Sequence, residues 1–418
     1  MLKNILITGS FLSLLNFYGI GTIFITTYLI SNFSSIATLG KFSYVISIFS
    51  ITTIPISSVI VQYIIKEVNL SKEKIEQILS EVLLYVLLLI PISIILFYLL
   101  TCTSNYNHNI IIKFSILILL SFVKTISTGY LIASEKVLLG KFSELFIYPT
   151  AFVIYLIINR NSLDFDVVIN GYFLSSIINI TVYMIIFITQ YKWKLKLCFK
   201  IKAMKFKKTL KFSILGVLDT LYENILILFS GFFGLYELTG FYKIILDIFK
   251  FPKKISFSIN QVFSPKVAKL FSLNKIKKLQ YLIRKLNVIM FIFMIIFSFL
   301  IIVFADLLMV VFNVHDKDFL ILLYLFCLAE IIFFTSYSGG TIILMTGQIK
   351  YFISIKIICI TTFLLSLLFS YNYGLIGAGL SFVLVRTVKM ILITFYTYRE
   401  TKLKINLIQN FNYVFQKK

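Results

Sequence analysis

Apolar runs of about 20 residues recur from one end of this chain to the other, and each is long enough to cross a hydrocarbon core of about 30 Å. They lie at roughly 5–30, 42–65, 82–101, 112–133, 142–158, 167–189, 211–233, 240–264, 287–312, 319–343, 351–370 and 375–397. The pattern predicts an all-α polytopic membrane protein with twelve transmembrane helices. Composition agrees: 59% of the 418 residues are hydrophobic and only 14% are charged, far too few charges for the surface of a soluble protein of this length. No stretch is long and polar enough to form a separate soluble domain. The first run exceeds the apolar core of a cleaved signal and lacks an Ala-x-Ala-like exit, so it is read as a helix.

A net charge of +23 raises the question of nucleic acid, and the placement of the charge answers it. With a cytoplasmic N-terminus, the inner loops contain "KEVNLSKEKIEQ", "SEKVLLGK", "KWKLKLCFKIKAMKFKK", "PKVAKLFSLNKIKKLQYLIRK" and "GQIKY". The outer loops "TCTSNYNHN", "NRNSLDFD", "NVHDKD" and "SYNYG" are short and poor in Lys and Arg. This asymmetry places both termini in the cytoplasm and the basic loops against anionic membrane lipids, with no role for nucleic acid. Cys102, Cys198, Cys327 and Cys359 have no metal-binding spacing, and His108 and His315 fall in outer loops, so no metal or cofactor is expected.

The two halves resemble each other. "LGKFSYVISIFSITTIPISS" (39–58) matches "LTGFYKIILDIFKFPKKISF" (238–257): Leu, a Gly, Phe and a second aromatic, then a proline, Pro55 or Pro252. "STGYLIASEKVLLGKFSELFIY" (127–148) matches "YSGGTIILMTGQIKYFISIKII" (337–358) in the same way. Both matches equate helices of the same orientation, so the repeat is parallel, as in many transporters. The expected organisation is a six-helix lobe at 1–189, a basic cytoplasmic linker at 190–210, a second six-helix lobe at 211–397 and a cytoplasmic tail at 398–418.

The charges inside the spans are unequally divided. "GVLDTLYENILIL" puts Asp219 and Glu223 one turn apart in the seventh span, where the first span, its counterpart, has no charge. Each ionised carboxylate near the bilayer centre costs on the order of 2.5–3.5 kcal/mol on insertion scales, so a functional role is the natural reading. On the next span Lys243, Asp247, Lys250 and Lys254 follow i, i+4, i+7, i+11 spacing, a stripe suited to a wet cavity. Arg386 and Lys389 share a face of the last span, where the first half has Ser175 and Ile178; Glu330 and Lys356 lie in the spans before it, and Lys124 is the clearest deep charge of the first half. Glu144 and Asp306 lie near span ends and read as interfacial; Lys243, Lys253 and Lys389 are open to snorkelling toward an interface as the alternative, and structural ion pairs such as Lys243 with Asp247 are the other competitor. The candidate anion-binding set is therefore Lys124, Lys250, Lys254, Arg386 and Lys389, suited to a diphosphate. Asp219, Glu223 and Asp247 form the candidate ion-coupling or gating set, since paired carboxylates hold a proton more readily than an isolated acid.

The twelve spans and the paired motifs "LGKFSYVISIF" and "LTGFYKIILDIF" resemble the polysaccharide-transport branch of the MOP superfamily, whose MATE-like fold has two parallel six-helix lobes, and most of all its O-antigen flippases (Wzx type). Members carry an acidic–basic dipeptide in the seventh span; "YENILIL" supplies Glu223 for the acid, and Asn224 stands in place of the cation. The resemblance implies a non-enzymatic inner-membrane transporter that moves an undecaprenyl-diphosphate-linked oligosaccharide from the cytoplasmic to the periplasmic leaflet. Expected partners are that lipid, anionic membrane lipids, a proton or Na⁺, and a polysaccharide polymerase with its chain-length regulator. A MATE-type exporter is the alternative, though cationic cargo suits Lys250, Lys254, Arg386 and Lys389 poorly. A membrane glycan polymerase or ligase would need a larger outer loop than any present.

Overall fold

The computed structural model describes residues 2–70, 75–102, 106, 108–134, 136–191 and 206–406; most of the basic linker, with Cys198, and the chain beyond 406 lie outside these residues. All regular structure among the described residues is helical. The residues group into two compact units, Met1–Lys243 and Ile244–Lys418. The first contains α1 (Leu2–Phe33), α2 (Ile36–Leu70), α3 (Ile75–Cys102), α4 (His108–Ala133), α5 (Val137–Phe142), a π-helical turn at Ser143–Ile147, α6 (Tyr148–Ile158), α7 (Phe165–Tyr191) and α8 (Phe206–Phe232). It also includes the start of α9 (Tyr236–Ile248). The second contains α10 (Lys250–Ser272), α11 (Ile276–Val303), α12 (Ala305–Val311), α13 (Asp318–Phe334), α14 (Gly339–Met345), α15 (Ile349–Ser370) and α16 (Gly374–Thr401).

Among the described residues, 8 stretches are long and apolar enough to cross a membrane, or 9 if the bent pair α13–α14 is one span. The last of these stretches, Ile349–Thr401, contains both α15 and α16, separated by a turn that ends at Gly374 with φ +54°. The predicted eighth span is broken: α9 ends at Ile248, and Pro252 is the third residue of α10. Proline has no N–H to donate, and its ring crowds the carbonyl four residues earlier, here that of Ile248. Five lysines on α10 then leave it outside the set of apolar spans.

Helix α2 is the centre of the first unit and packs against α8, α4 and α3. The glycines of the two matched motifs, Gly40 and Gly240, meet here. A Cβ on Gly40 would lie 1.7 Å from the Tyr236 carbonyl oxygen and 2.9 Å from the Gly240 nitrogen; one on Gly240 would lie 2.2 Å from the Ile36 carbonyl oxygen. Small residues are what allow membrane helices this close, since dispersion replaces the hydrophobic effect as the driving force. Farther along the same contact a Cβ on Gly231 would strike the Tyr44 ring, and Ser47 Oγ donates to Asn224 Oδ1 at 3.2 Å. Asn224, which replaces the expected cation, thus ties α8 to α2.

In the second unit α16 packs against α13 and α15, with Phe326 and Phe382 stacked at 4.0 Å. Helix α16 ends at Lys402 in the left-handed conformation, and the following strap, 402–406, turns back into the unit. Gln280 grips it in two places: Nε2 donates to the Lys404 carbonyl at 2.5 Å, and Lys404 N–H donates to Oε1 at 2.8 Å. Asn287 donates to the Ile405 carbonyl at 2.7 Å and accepts from Ser338 N–H at 3.0 Å, at the bend between α13 and α14. Leu403 and Ile405 are fully buried, so the beginning of the expected tail is part of the packed unit.

Gly240→Ala should lower stability by about 3 kcal/mol, the upper range for overpacking, because backbone atoms must move. Gly21→Ala, with nothing within 4 Å, should leave it unchanged or slightly raised. Thermal unfolding in detergent, followed by size-exclusion fluorescence, compares the two directly; equal midpoints would refute the close-approach argument.

Candidate functional site

Each unit encloses a charged cluster. In the first unit the π-helical turn breaks the register between α5 and α6 and carries Glu144. Such turns add a residue within a helix and recur at functional sites. Glu144 faces two cations: Lys141 Nζ at 2.8 Å and Lys124 Nζ, from α4, at 3.6 Å. Lys124 also lies over the Tyr183 ring, 6.0 Å from its centroid, and the Tyr183 hydroxyl donates to the Gly140 carbonyl at 2.7 Å. Next to Glu144, Ser143 Oγ donates to Asn179 Oδ1 on α7 at 2.7 Å. At about 1.5 Å per residue, Lys124 is roughly 14 Å from the end of α4. All three charged side chains are partly exposed, so the triad has one net positive charge and an open side. Glu144, read from the sequence as interfacial, is the counter-ion of Lys124.

The second cluster is closed. Glu330 on α13 pairs with Arg386 on α16, and the exposures are 3% and 4%. Arg386 lies between two rings, 4.8 Å from the Phe333 centroid and 4.9 Å from that of Phe382. Lys389, 7% exposed, is 4.7 Å from the Phe333 centroid, and Lys356 on α15, 5% exposed, is 5.4 Å from that of Phe352. The structure therefore does bring Arg386 and Lys389 together, but inside the helix layer and with Glu330 and Lys356.

The remaining sequence candidates lie on α8 to α10. Asp247 is buried and accepts from Lys250 Nζ at 2.6 Å, across the break at Phe249. Lys254 is exposed one turn farther along α10. Glu223 is exposed and Asp219 half-buried on α8. His108 and His315 are exposed, while Cys327 and Cys359 are buried free thiols. Among the described residues, no group of His, Cys, Asp and Glu has metal-site geometry.

Removing one partner of the closed cluster tests its energetics. Glu330→Gln should cost about 3–5 kcal/mol by leaving Arg386 without its carboxylate, whereas Glu330→Leu with Arg386→Met should recover most of that loss. Unfolding midpoints of the single and double variants provide the check.

No protein-family model matches this sequence, and no curated protein sequence matches it. Solved structures do. An inward-facing multidrug resistance MATE family transporter of the MOP superfamily superposes with TM-score 0.74 at 13% identity, over 92% of this chain and 94% of that one. The lipid II flippase MurJ in an inward closed conformation gives 0.66 at 15% identity, over 92% and 86%. A MOP superfamily transporter from Pyrococcus furiosus, described by the reverse polarity of its binding pocket, gives 0.58 at 13%, over 93% and 94%. The chain is thus a multi-pass membrane protein with the all-helical fold shared by MATE and MOP transporters and by a lipid flippase.

Proposed function

We propose that this protein is a bacterial inner-membrane flippase that moves an undecaprenyl-diphosphate-linked oligosaccharide, such as an O-antigen repeat unit, from the cytoplasmic to the periplasmic leaflet by alternating access, without covalent chemistry. The observation that carries this reading is the sign of the charge within the helices. Lys124 with Lys141 in one place, and Lys250 with Lys254 in another, present accessible cations on a fold shared with a lipid II flippase. Lysines at such depth need a wet cavity or a counter-charge, and a diphosphate headgroup supplies the latter. In this reading the twelve spans form two six-helix lobes: α1, α2, α3, α4, α5–α6 and α7, then α8, α9–α10, α11, α13–α14, α15 and α16. Both termini face the cytoplasm, basic loops rest on anionic lipids, and the oligosaccharide passes to a polymerase and its chain-length regulator.

Asp219 and Glu223 on α8, with Asp247 on α9, serve as the coupling or gating group for a proton or Na⁺. The MATE fold favours a second reading, export of another substrate, in which the same carboxylates couple the gradient.

Reconstitution separates the two. Proteoliposomes should translocate a fluorescent undecaprenyl-diphosphate oligosaccharide, read by loss of signal to a membrane-impermeant quencher. Lys124→Gln with Lys250→Gln should slow this about tenfold or more, equivalent to about 1.4 kcal/mol. Asp219→Asn with Glu223→Gln should abolish its gradient dependence. Export of cationic dyes with no lipid translocation would favour the second reading, and unimpaired, gradient-dependent flipping by the carboxylate variant would remove Asp219 and Glu223 from coupling.

A further inference from the structure

The open triad of the first unit is built around one carboxylate shared by two cations. Glu144 Oε2 accepts from Lys141 Nζ at 2.8 Å, a short charge-assisted hydrogen bond. Its other oxygen, Oε1, faces Lys124 Nζ at 3.6 Å, beyond hydrogen-bond range, so that contact is electrostatic alone. Each oxygen thus answers one lysine, and the carboxylate bridges the pair.

The surroundings are fixed where the carboxylate is not. Lys124 lies over the Tyr183 ring, which the Gly140 carbonyl anchors through the Tyr183 hydroxyl. The bond from Ser143 Oγ to Asn179 Oδ1 ties the π-helical turn to α7. Rotation of its own side chain is therefore the movement left to Glu144, and that side chain is 36% exposed, with water beside it.

We propose that Glu144 is a displaceable stand-in for the diphosphate of the cargo. It bridges Lys124 and Lys141 while the site is empty, swings toward water when the headgroup arrives, and returns to expel it. The inference rests on the lipid-flipping reading and assigns Glu144 a part in that substrate cycle. A diphosphate esterified at both ends carries one negative charge on each phosphoryl group, so it answers the two lysines one to one. A carboxylate divides a single charge between them and is the weaker bridge. Being tethered, it competes at a high effective concentration, which lowers the affinity for cargo and speeds release. It also neutralises part of the charge in the empty carrier, whose lysines would otherwise return through the bilayer without a counter-ion. A carboxylate that only held the lysines in place would act with the opposite sign, because its loss would weaken binding.

The test uses the full-length protein, in detergent for binding and in proteoliposomes for translocation, with a fluorescent prenyl-diphosphate N-acetylglucosamine as the probe. Glu144→Gln should tighten binding about tenfold or more and slow maximal translocation about tenfold, so that KM and kcat fall together. The exposed Glu237→Gln, which removes the same charge elsewhere, should change neither. A second measurement needs no variant. Labelling of Glu144 by a water-soluble carbodiimide and glycine ethyl ester, read by mass spectrometry, should rise as the probe saturates the unaltered protein. Where the unaltered protein moves the probe, weaker or unchanged binding by Glu144→Gln, or labelling that stays level or falls on saturation, overturns this inference alone. Failure of the unaltered protein to bind or move the probe overturns the lipid-flipping reading, and the role of Glu144 with it.

Discussion

Hydrocarbon offers an ionised side chain neither water nor a mobile counter-ion, so every charge inside a spanning helix must be answered by a neighbouring helix or by something bound between them. Both units respond with charged and polar side chains from neighbouring helices. In the first, α4 supplies Lys124, the α5–α6 region Lys141 and Glu144, and α7 the polar groups of Tyr183 and Asn179. In the second, α13 supplies Glu330, α15 Lys356, and α16 Arg386 and Lys389. The two units therefore hold two electrostatic settings, one open with a single positive excess and the other sealed.

Close backbone approach is the second constraint. Gly40 and Gly240 occupy matched motifs, and they lie against each other because neither tolerates a Cβ. Around this contact, polar side chains take the place of charge: Asn224 spends its amide on Ser47 and on the Thr220 carbonyl and needs no ionised partner.

Hydropathy was enough to read an all-helical, multi-pass membrane chain, because a span needs only length and apolarity; of the twelve expected spans, 8 or 9 stretches among the described residues are long and apolar enough to cross. It also exposed the ionisable residues, since Lys124, Glu330, Lys356 and Arg386 stand out in apolar surroundings. It could not pair them. Glu330 and Arg386 are 56 residues apart, and nothing local in either segment points to the other. Glu144 looked interfacial because the π-helical turn that aims it at Lys124 has no signature of its own in "SELFI". The break at Phe249 was half-visible: Pro252 marked a weak point, but a single proline is compatible with a kink as well as with two separate helices. The strap at 402–406 was hidden for the opposite reason, as its alternating "KLKIN" has the composition of a solvated tail.

That strap has a practical bearing on how the molecule is handled. Asn287 joins the Ile405 carbonyl to the amide of Ser338, and a Cβ on Gly339 would collide with Ile405 and Ile393. The strap is therefore a wedge seated at the elbow of the tenth predicted span. Any affinity handle or fluorescent fusion has to be joined downstream of Asn406. A truncation made at the end of α16, where hydropathy would place the cut, would pull out the wedge and leave the side-chain amides of Gln280 and Asn287 without their carbonyls.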